Sequence, residues 1–361
     1  MFNTTISNDT INLVSDTLKS TFISAGKKVD EFELALSKWV GKTVTVNSGT
    51  SALHLSLVSA GIGQGDEVIL PAQTFIATGL AILQVGAKPI FVDIDYMCGN
   101  MDVNSIKEKI TENTKAIIPV HWGGYPCDMD EITKIARLHN LIVIEDAAHA
   151  FGATYKNQPI GHISEYTCFS FQAIKLLTTG DGGAITTTNN ETIKRLKKLR
   201  WFNIDRDDDT PDILGERVYN SNEIGYKYHM NDIVATIGLG NIRGISEKLI
   251  RHKQISTLYR NNLKNIGGVS LFDKKDDRIS SNWLFGLHVE KREDFIKKLK
   301  SNDISSSVIH LGIDKNILFG GKDESLLNQR KFDNTQIHIP IHNGLSDEDV
   351  HKIVNTIKSG W

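Results

Sequence analysis

Six short apolar runs, at residues 67–70, 89–93, 116–120, 141–146, 167–171 and 183–187, constrain the fold of this chain most. Each is nearly continuous in hydrophobic residues instead of alternating them with polar ones. A strand that reads this way is buried on both faces, as in a sheet covered by helices on its two sides. Helical patterns lie between the runs, at 51–60, 76–85 and 129–139. From about residue 43 to 188 the alternation predicts an α/β fold with a mostly parallel sheet. Beyond residue 190 the character changes. A charged helix is expected at 191–200, a long polar loop at 201–222 and a helix at 230–248. From about residue 251 the pattern fits a smaller α+β unit, with helices at 254–266, 292–301 and 347–358 and strands at 283–289 and 305–310. The expected division is a large domain, 1–245, and a small C-terminal domain, 246–361.

With 361 residues, 40% of them hydrophobic, the chain can build cores for both units. A formal net charge of -2 gives no reason to expect nucleic acid or an anionic membrane as a partner. The first residues show no secretory pattern, and no apolar run approaches the roughly 20 residues that span a bilayer. Cys98, Cys127 and Cys168 lack metal-ligand spacing, so no metal is expected; they read as thiols in a reducing cytoplasm.

Lys175 is the most informative single residue. It follows the apolar run 167–171 and precedes the turn Thr178-Thr179-Gly180, which leads into the run at 183–187. Burial disfavours an ammonium ion, so a lysine held among apolar residues at a strand end becomes a nucleophile near neutral pH. Lysine Schiff bases are the resting state of pyridoxal phosphate (PLP) enzymes. A solvated surface lysine is the ordinary alternative.

Other segments supply what such chemistry requires. Asn47-Ser48-Gly49-Thr50-Ser51 opens a helix with small, hydroxyl-rich residues. Free amides and the helix dipole there favour an anion, and Gly49, Thr50 and Ser51 are candidate phosphate contacts. A plain Ser/Thr cap gives the same pattern. Asp146 closes the run 141–146, at the carboxyl edge of the sheet where open α/β folds bind ligands. A carboxylate there can hold a pyridinium nitrogen protonated, and His149, three residues on, can reach a cofactor oxygen. A helix cap and a satisfied polar side chain are the structural alternatives. Ser170 is a further candidate phosphate donor or a strand hydroxyl bonded to backbone. Phe75, just past the strand end at Pro71, is either a stacking platform for a flat ring or a core aromatic. Lys227 or His229, in a short aromatic and basic loop, can neutralise phosphate or remain solvated. The glycines Gly61, Gly63 and Gly65 follow a helix and precede a strand, the reverse of a dinucleotide-binding turn.

Together these segments resemble the DegT/DnrJ/StrS family of PLP-dependent sugar aminotransferases, from about residue 24 to 239 with a weaker tail to Trp361. Residues 47–50 look like the family's phosphate turn, 71–77 its ring-stacking segment, 145–149 its pyridine motif and 170–183 its Schiff-base segment. Residues 119–123 with Pro126 and Asp128 look like its substrate-side loop, which makes His121 and Trp122 candidate substrate contacts. The resemblance implies the fold type I of PLP enzymes, PLP as cofactor, and Lys175 and Asp146 as catalytic residues. It implies a cytoplasmic homodimer with composite active sites, glutamate as amino donor with 2-oxoglutarate as its product, and a nucleotide-linked keto-sugar as acceptor. By family frequency that acceptor is a 4-keto-6-deoxy hexose, used for amino sugars of surface polysaccharides such as O-antigen. Two stretches depart from the pattern. Where the family usually has Gly-x-Asn-Tyr-Arg-Met, this chain has Gly225-Tyr226-Lys227-Tyr228-His229-Met230, so Lys227 stands where an Asn reaches the partner subunit's phosphate. Where a Tyr-Pro and His cluster is common, it has Val308-Ile309-His310. His229 and His310 are therefore candidate substrate contacts. Other readings are a non-nucleotide keto-sugar as acceptor, a dehydratase, or a non-catalytic PLP-binding regulator. Relatives that act as dehydratases carry histidine in place of the lysine, and Lys175 argues against that role.

Overall fold

A computed structural model describes residues 1–205, 211, 213–216 and 221–361, so part of the loop expected at 201–222 lies outside the described residues. Helices α1 (Asn8–Lys19) and α2 (Lys27–Val40) precede strand β1 (Thr43–Val46). Alternating units follow: α3 (Gly49–Ser59), β2 (Glu67–Pro71), α4 (Ile76–Gln84), β3 (Lys88–Val92), α5 (Val103–Lys109), β4 (Thr114–Ile117), α6 (Met129–Leu138) and β5 (Ile142–Asp146). A hairpin of β6 (Thr154–Tyr155) and β7 (Gln158–Pro159) leads to β8 (Tyr166–Ser170), β9 (Gly183–Thr186) and α7 (Asn190–Leu199). The remainder comprises α8 (Asp232–Ile242), α9 (Ile245–Leu263), β10 (Val269–Leu271), β11 (Arg278–Ile279), β12 (Phe285–Val289), α10 (Arg292–Lys300), α11 (Leu327–Thr335), β13 (Gln336–Ile339) and α12 (Asp347–Lys358).

The main sheet has the order β1-β9-β8-β5-β4-β2-β3. All pairings from β8 to β3 are parallel, and β9 runs antiparallel to both β1 and β8. Successive residues of a strand enter different cores. Ile69, Val143, Phe169 and Ala184 join one buried cluster, while Leu70, Ile144, Cys168 and Ile185 join another on the opposite face. Burial on both faces at period two is why these strands read as unbroken apolar runs.

A third cluster covers the small sheet β10-β12-β13, with Ile255, Tyr259, Leu287, Phe295, Ile339 and Val354 at its centre. We propose the domain division at residues 245/246 on the strength of this separate core. The halves are nonetheless knitted together: β11 pairs with β6, and Trp283, Leu284 and Phe332 pack in the first cluster.

Three expectations are corrected. The helix expected at 230–248 breaks at Arg243 and Gly244, where glycine's weak helix propensity lets the chain turn. The helix expected at 254–266 is the second half of α9. Residues 305–310 form only an isolated bridge, Ser307 to His338, because Ile309 adopts φ of 31°, which a β-branched residue in a strand does not. α1, α2 and β1 were not anticipated.

The buried carboxylate of Glu33 ties α2 to the sheet. Its Oε1 accepts from the Thr45 amide and hydroxyl, each at 2.9 Å, and pairs with Arg200. Glu33→Ala leaves the largely buried Arg200 guanidinium without its carboxylate, held only by the Thr45 carbonyl and hydroxyl among the described residues. A loss of about 3 kcal/mol in unfolding free energy is expected in urea denaturation; a loss within experimental error would show that the pair does not anchor α2.

Candidate active site

β1, β2, β5 and β8 share one direction, so their carboxyl ends meet at a single edge. Ser48 and Gly49, Phe75, Asp146 and Ser170 all follow or close those ends. A cavity of about 500 Å³ opens there. Gly49, Thr50, Phe75 and Ser170 stand in its wall, with Asp146, His149, Lys175 and His310.

Lys175 is carried on a loop closed at its base. The Phe171 amide donates to the Gly182 carbonyl at 2.8 Å and Thr179 N donates to the Phe171 carbonyl at 2.9 Å. Within the loop, Trp283 Nε1 donates to the Ile174 carbonyl at 2.9 Å and Lys248 Nζ to that of Leu176 at 2.8 Å. The lysine Nζ lies 4.0 Å from the Trp283 ring centroid. Burial lowers its pKa to about 8, and only the negative charge of Asp146 resists that shift. Trp283 also stacks on His149 at 3.9 Å and on Phe2 at 5.2 Å.

Asp146 Oδ2 accepts from Thr78 Oγ1 at 2.7 Å and Oδ1 from the Ala148 amide at 3.1 Å. Thr74 and Thr78 share a hydroxyl contact of 2.7 Å behind it. Burial raises the Asp146 pKa, against the two hydrogen bonds and the charge of Lys175. His149 is held neutral chiefly by burial and secondly by Lys175, and its Nδ1 has no partner among the described residues. Burial and then Lys175 lower His310 to about 4, and its ring lies 5.1 Å from that of Phe75.

α3 begins against β8. Ser48 Oγ caps the helix by accepting from Ser51 N at 3.0 Å, and the Ser48 carbonyl takes the Ala52 amide. The Gly49 and Thr50 amides take no partner among the described residues. A Cβ at Gly49 would stand 2.8 Å from that of Ser170, so only glycine lets the helix start this close to the strand end. Free amides, a hydroxyl, a buried acid without a cation hydrogen-bonded to it, a deprotonatable lysine and an orphaned imidazole nitrogen fit pyridoxal phosphate: a phosphate, a ring nitrogen, an aldehyde and a ring oxygen.

Several expected residues are not in this cavity. Ser51 Oγ is taken up by Asn47 Oδ1 at 2.6 Å, one turn back along the chain. His121 is fully buried, with Nδ1 accepting from the Cys127 amide at 3.1 Å and Nε2 donating to Glu145 at 2.8 Å, so it holds strands together. Trp122 is buried behind the wall, meeting His149 and His310 edge-on at 5.4 and 5.8 Å. Lys227 and His229 both sit at Trp201, 5.7 and 4.2 Å from its ring centroids, away from their own chain's cavity. Sequence reasoning missed Thr78 and Trp283. The Thr74/Thr78 spacing of one helical turn was a readable signal for the first; nothing local pointed to the second, which arrives from the C-terminal half.

In cofactor-free protein, acylation of Lys175 should rise through a midpoint near pH 8 instead of the usual ~10.4. In Asp146→Asn the midpoint should move lower still, since the carboxylate is the charge that supports the ammonium form. Mass-spectrometric labelling against pH reads both; a surface-like midpoint, or one unchanged in the variant, contradicts this electrostatic account.

Residues 4–358 match the DegT/DnrJ/EryC1/StrS aminotransferase family. The chain is 33% identical to the GDP-perosamine synthase of Caulobacter vibrioides, over 94% of this chain and 92% of that one. Among solved structures it resembles the sugar aminotransferase CalS13 of Micromonospora echinospora, with a TM-score of 0.95, 33% identity and coverage of 100% and 99% of the two chains. It also resembles Spr1654 of Streptococcus pneumoniae in its PLP form, with a TM-score of 0.91, 32% identity and coverage of 99% and 97%.

Proposed function

The chain belongs to the DegT/DnrJ/EryC1/StrS aminotransferase family and is a PLP-dependent sugar aminotransferase; from that premise we propose that it transfers the amino group of glutamate to a nucleotide-linked keto-sugar, a 4-keto-6-deoxy hexose. The observation that carries the chemistry is the pairing of a lysine near neutrality with a buried acid in one cavity. The likeness to a GDP-perosamine synthase supports a nucleotide-linked acceptor. The product would enter amino-sugar synthesis for a surface polysaccharide.

PLP bound in this cavity supplies an electron-withdrawing ring that stabilises negative charge on the carbon beside the transferred nitrogen. The residues prepare for it. The amides of Gly49 and Thr50, with the Ser170 hydroxyl, form the phosphate end, where the dipole of α3 adds to the attraction. Asp146, fixed by Thr78, presents a carboxylate to the ring nitrogen; its burial means that it is best satisfied by a cation from the ligand. His149, neutral, offers Nδ1 to the ring oxygen. Phe75, about half exposed, gives a flat face at the mouth. Lys175 acts twice. Its unprotonated Nζ would be the nucleophile that holds the cofactor, and the same atom would take and return the proton of the transfer. A pKa near 8 suits both tasks, since each protonation state is populated near neutral pH.

Lys227 lies outside its own chain's cavity and is exposed, as a residue serving a partner's site would be. We therefore retain the homodimer with composite sites in this reading. Among the described residues no helix is long and apolar enough to cross a membrane.

Lys175→Ala should abolish both the cofactor's visible absorbance shift on binding and the conversion to the amino form on adding glutamate. Retained turnover would sink the assignment. Asp146→Asn should keep cofactor binding measurable while slowing the glutamate half-reaction on the order of 100-fold. A panel of GDP-, dTDP- and UDP-linked 4-keto-6-deoxy sugars with glutamate tests the acceptor. Turnover of only free keto-sugars, or elimination of water without amination, would refute it.

A further inference from the structure

A second cavity, of about 240 Å³, lies behind Trp122, between α9 and the segment that runs from Phe272 to Gly286. Four polar residues of α9 line it, Lys253, Ser256, Thr257 and Arg260. Their spacing of three, four and seven residues puts them on one helical face. Ile255, Tyr259 and Leu263 carry the other side of the helix into the small-domain core.

The charges on this wall do not cancel. Five basic side chains and two acidic ones, Asp273 and Asp276, line the cavity. Lys275 and Arg278 are already paired with Asp128, at 2.9 and 2.6 Å. Lys253, Lys274 and Arg260 have no ion pair among the described residues. Arg260 is half-buried, its guanidinium carbon 5.9 Å from the Phe285 ring centroid, and burial lowers its pKa against the weak support of Tyr125 and Asp273. A partly desolvated guanidinium without a counter-ion is costly unless a ligand supplies one. Two residues of the wall carry a polar atom without a partner among the described residues, each buried beneath the cavity surface. Trp122 Nε1 is a donor without an acceptor among the described residues. His338, fully buried, is pushed by burial to about 3 and is neutral; its Nδ1 faces the Ser307 carbonyl at 3.3 Å, leaving Nε2 as an unused acceptor.

We propose that this cavity is a second ligand site, separated from the catalytic cavity by Trp122, and that it takes a phosphorylated monosaccharide. The unpaired cations match a phosphate monoester, with Arg260 as the fork-shaped partner. The hydroxyls of Ser256 and Thr257 match sugar hydroxyls, and the ring of Phe272 matches a sugar's apolar face. At about 240 Å³ the cavity is smaller than the roughly 300 to 1,000 Å³ of sites for drug-sized ligands, so it fits a sugar phosphate better than a full nucleotide sugar.

The test uses the cofactor-loaded enzyme and isothermal calorimetry, with glucose 1-phosphate, glucose and inorganic phosphate as probes. Borohydride-reduced enzyme, in which Lys175 is permanently joined to the cofactor, serves as a second sample. Saturable binding of glucose 1-phosphate to both is expected, stronger than that of either fragment. Arg260→Gln should weaken it about tenfold or more, and Lys253→Gln by a smaller factor, while the half-reaction with glutamate keeps its rate. Lys253 is exposed, so its variant carries the test if Arg260→Gln fails to fold. Absence of saturable binding overturns the proposal. So does affinity unchanged in both variants, or phosphate binding as tightly as the sugar phosphate, which would mean an adventitious ion only. Failure of the sugar-nucleotide reading of the catalytic cavity would leave this result untouched, because the readout is binding at residues that take no part in transamination.

Discussion

A sheet buried on both faces has nowhere to put polar chemistry except at its strand ends. In this protein the central strands are sealed by cores above and below, so no side chain along their middle can meet a ligand. Because β1, β2, β5 and β8 run the same way, their ends open on one edge, and each contributes one kind of group. α3 starts beyond β1 with free amides, Phe75 follows β2, Asp146 closes β5 and Ser170 closes β8. The antiparallel β9 then matters for Lys175. A strand returning directly from β8 requires a loop at that same edge, and the loop's base is fixed by the pairing of Ser170 with Gly183. The lysine is therefore delivered to the cavity by the one reversal of direction in the sheet.

The position of that edge explains how far sequence alone could reach. The apolar runs, the residues that end them and the helix that opens at Gly49 are local patterns, and each was readable because strand direction follows from βαβ connections. Asp146, Lys175, Gly49 and Phe75 could be placed in this way. The misplaced residues share a different property. His121 directly follows Val120, which bridges to Asp146, yet its role is decided by Glu145 on the neighbouring strand and by the Cys127 amide. Ser51 looks like a phosphate donor until Asn47 is seen to occupy its hydroxyl. Trp283 comes from more than one hundred residues downstream of Lys175. Partners that compete for a hydrogen bond across strands leave no periodic trace in one sequence.

The helix break at Gly244 and the left-handed Ile309 illustrate the same limit at the level of backbone. Both interrupt stretches whose residue types favour regular structure, and both are set by where the chain must go next. Ile309 turns the segment that carries His310 to the cavity mouth, where Gln73 grips the His310 carbonyl at 3.1 Å and Gln329 holds Gln73 at 2.8 Å. A residue in the loop after β2 thereby ties the platform of Phe75 to the histidine beside it.

Burial also decides which groups in the cavity carry charge. His149 and His310 are both neutral because desolvation and the nearby Lys175 each oppose a second positive charge. Lys175 is itself near the balance point, with only Asp146 favouring its charged form. The cavity without ligand thus has one buried carboxylate, Asp146, beside one cation near its balance point, while Asp181 stands exposed in the wall. A cation from a bound ligand would give Asp146 a fixed partner, and Lys175 would then lose the support that favours its protonated form. Neutralising Asp146 and freeing the lysine's lone pair would be the same electrostatic event, so in the proposed reading the acid that would hold the ring would also prepare the nucleophile.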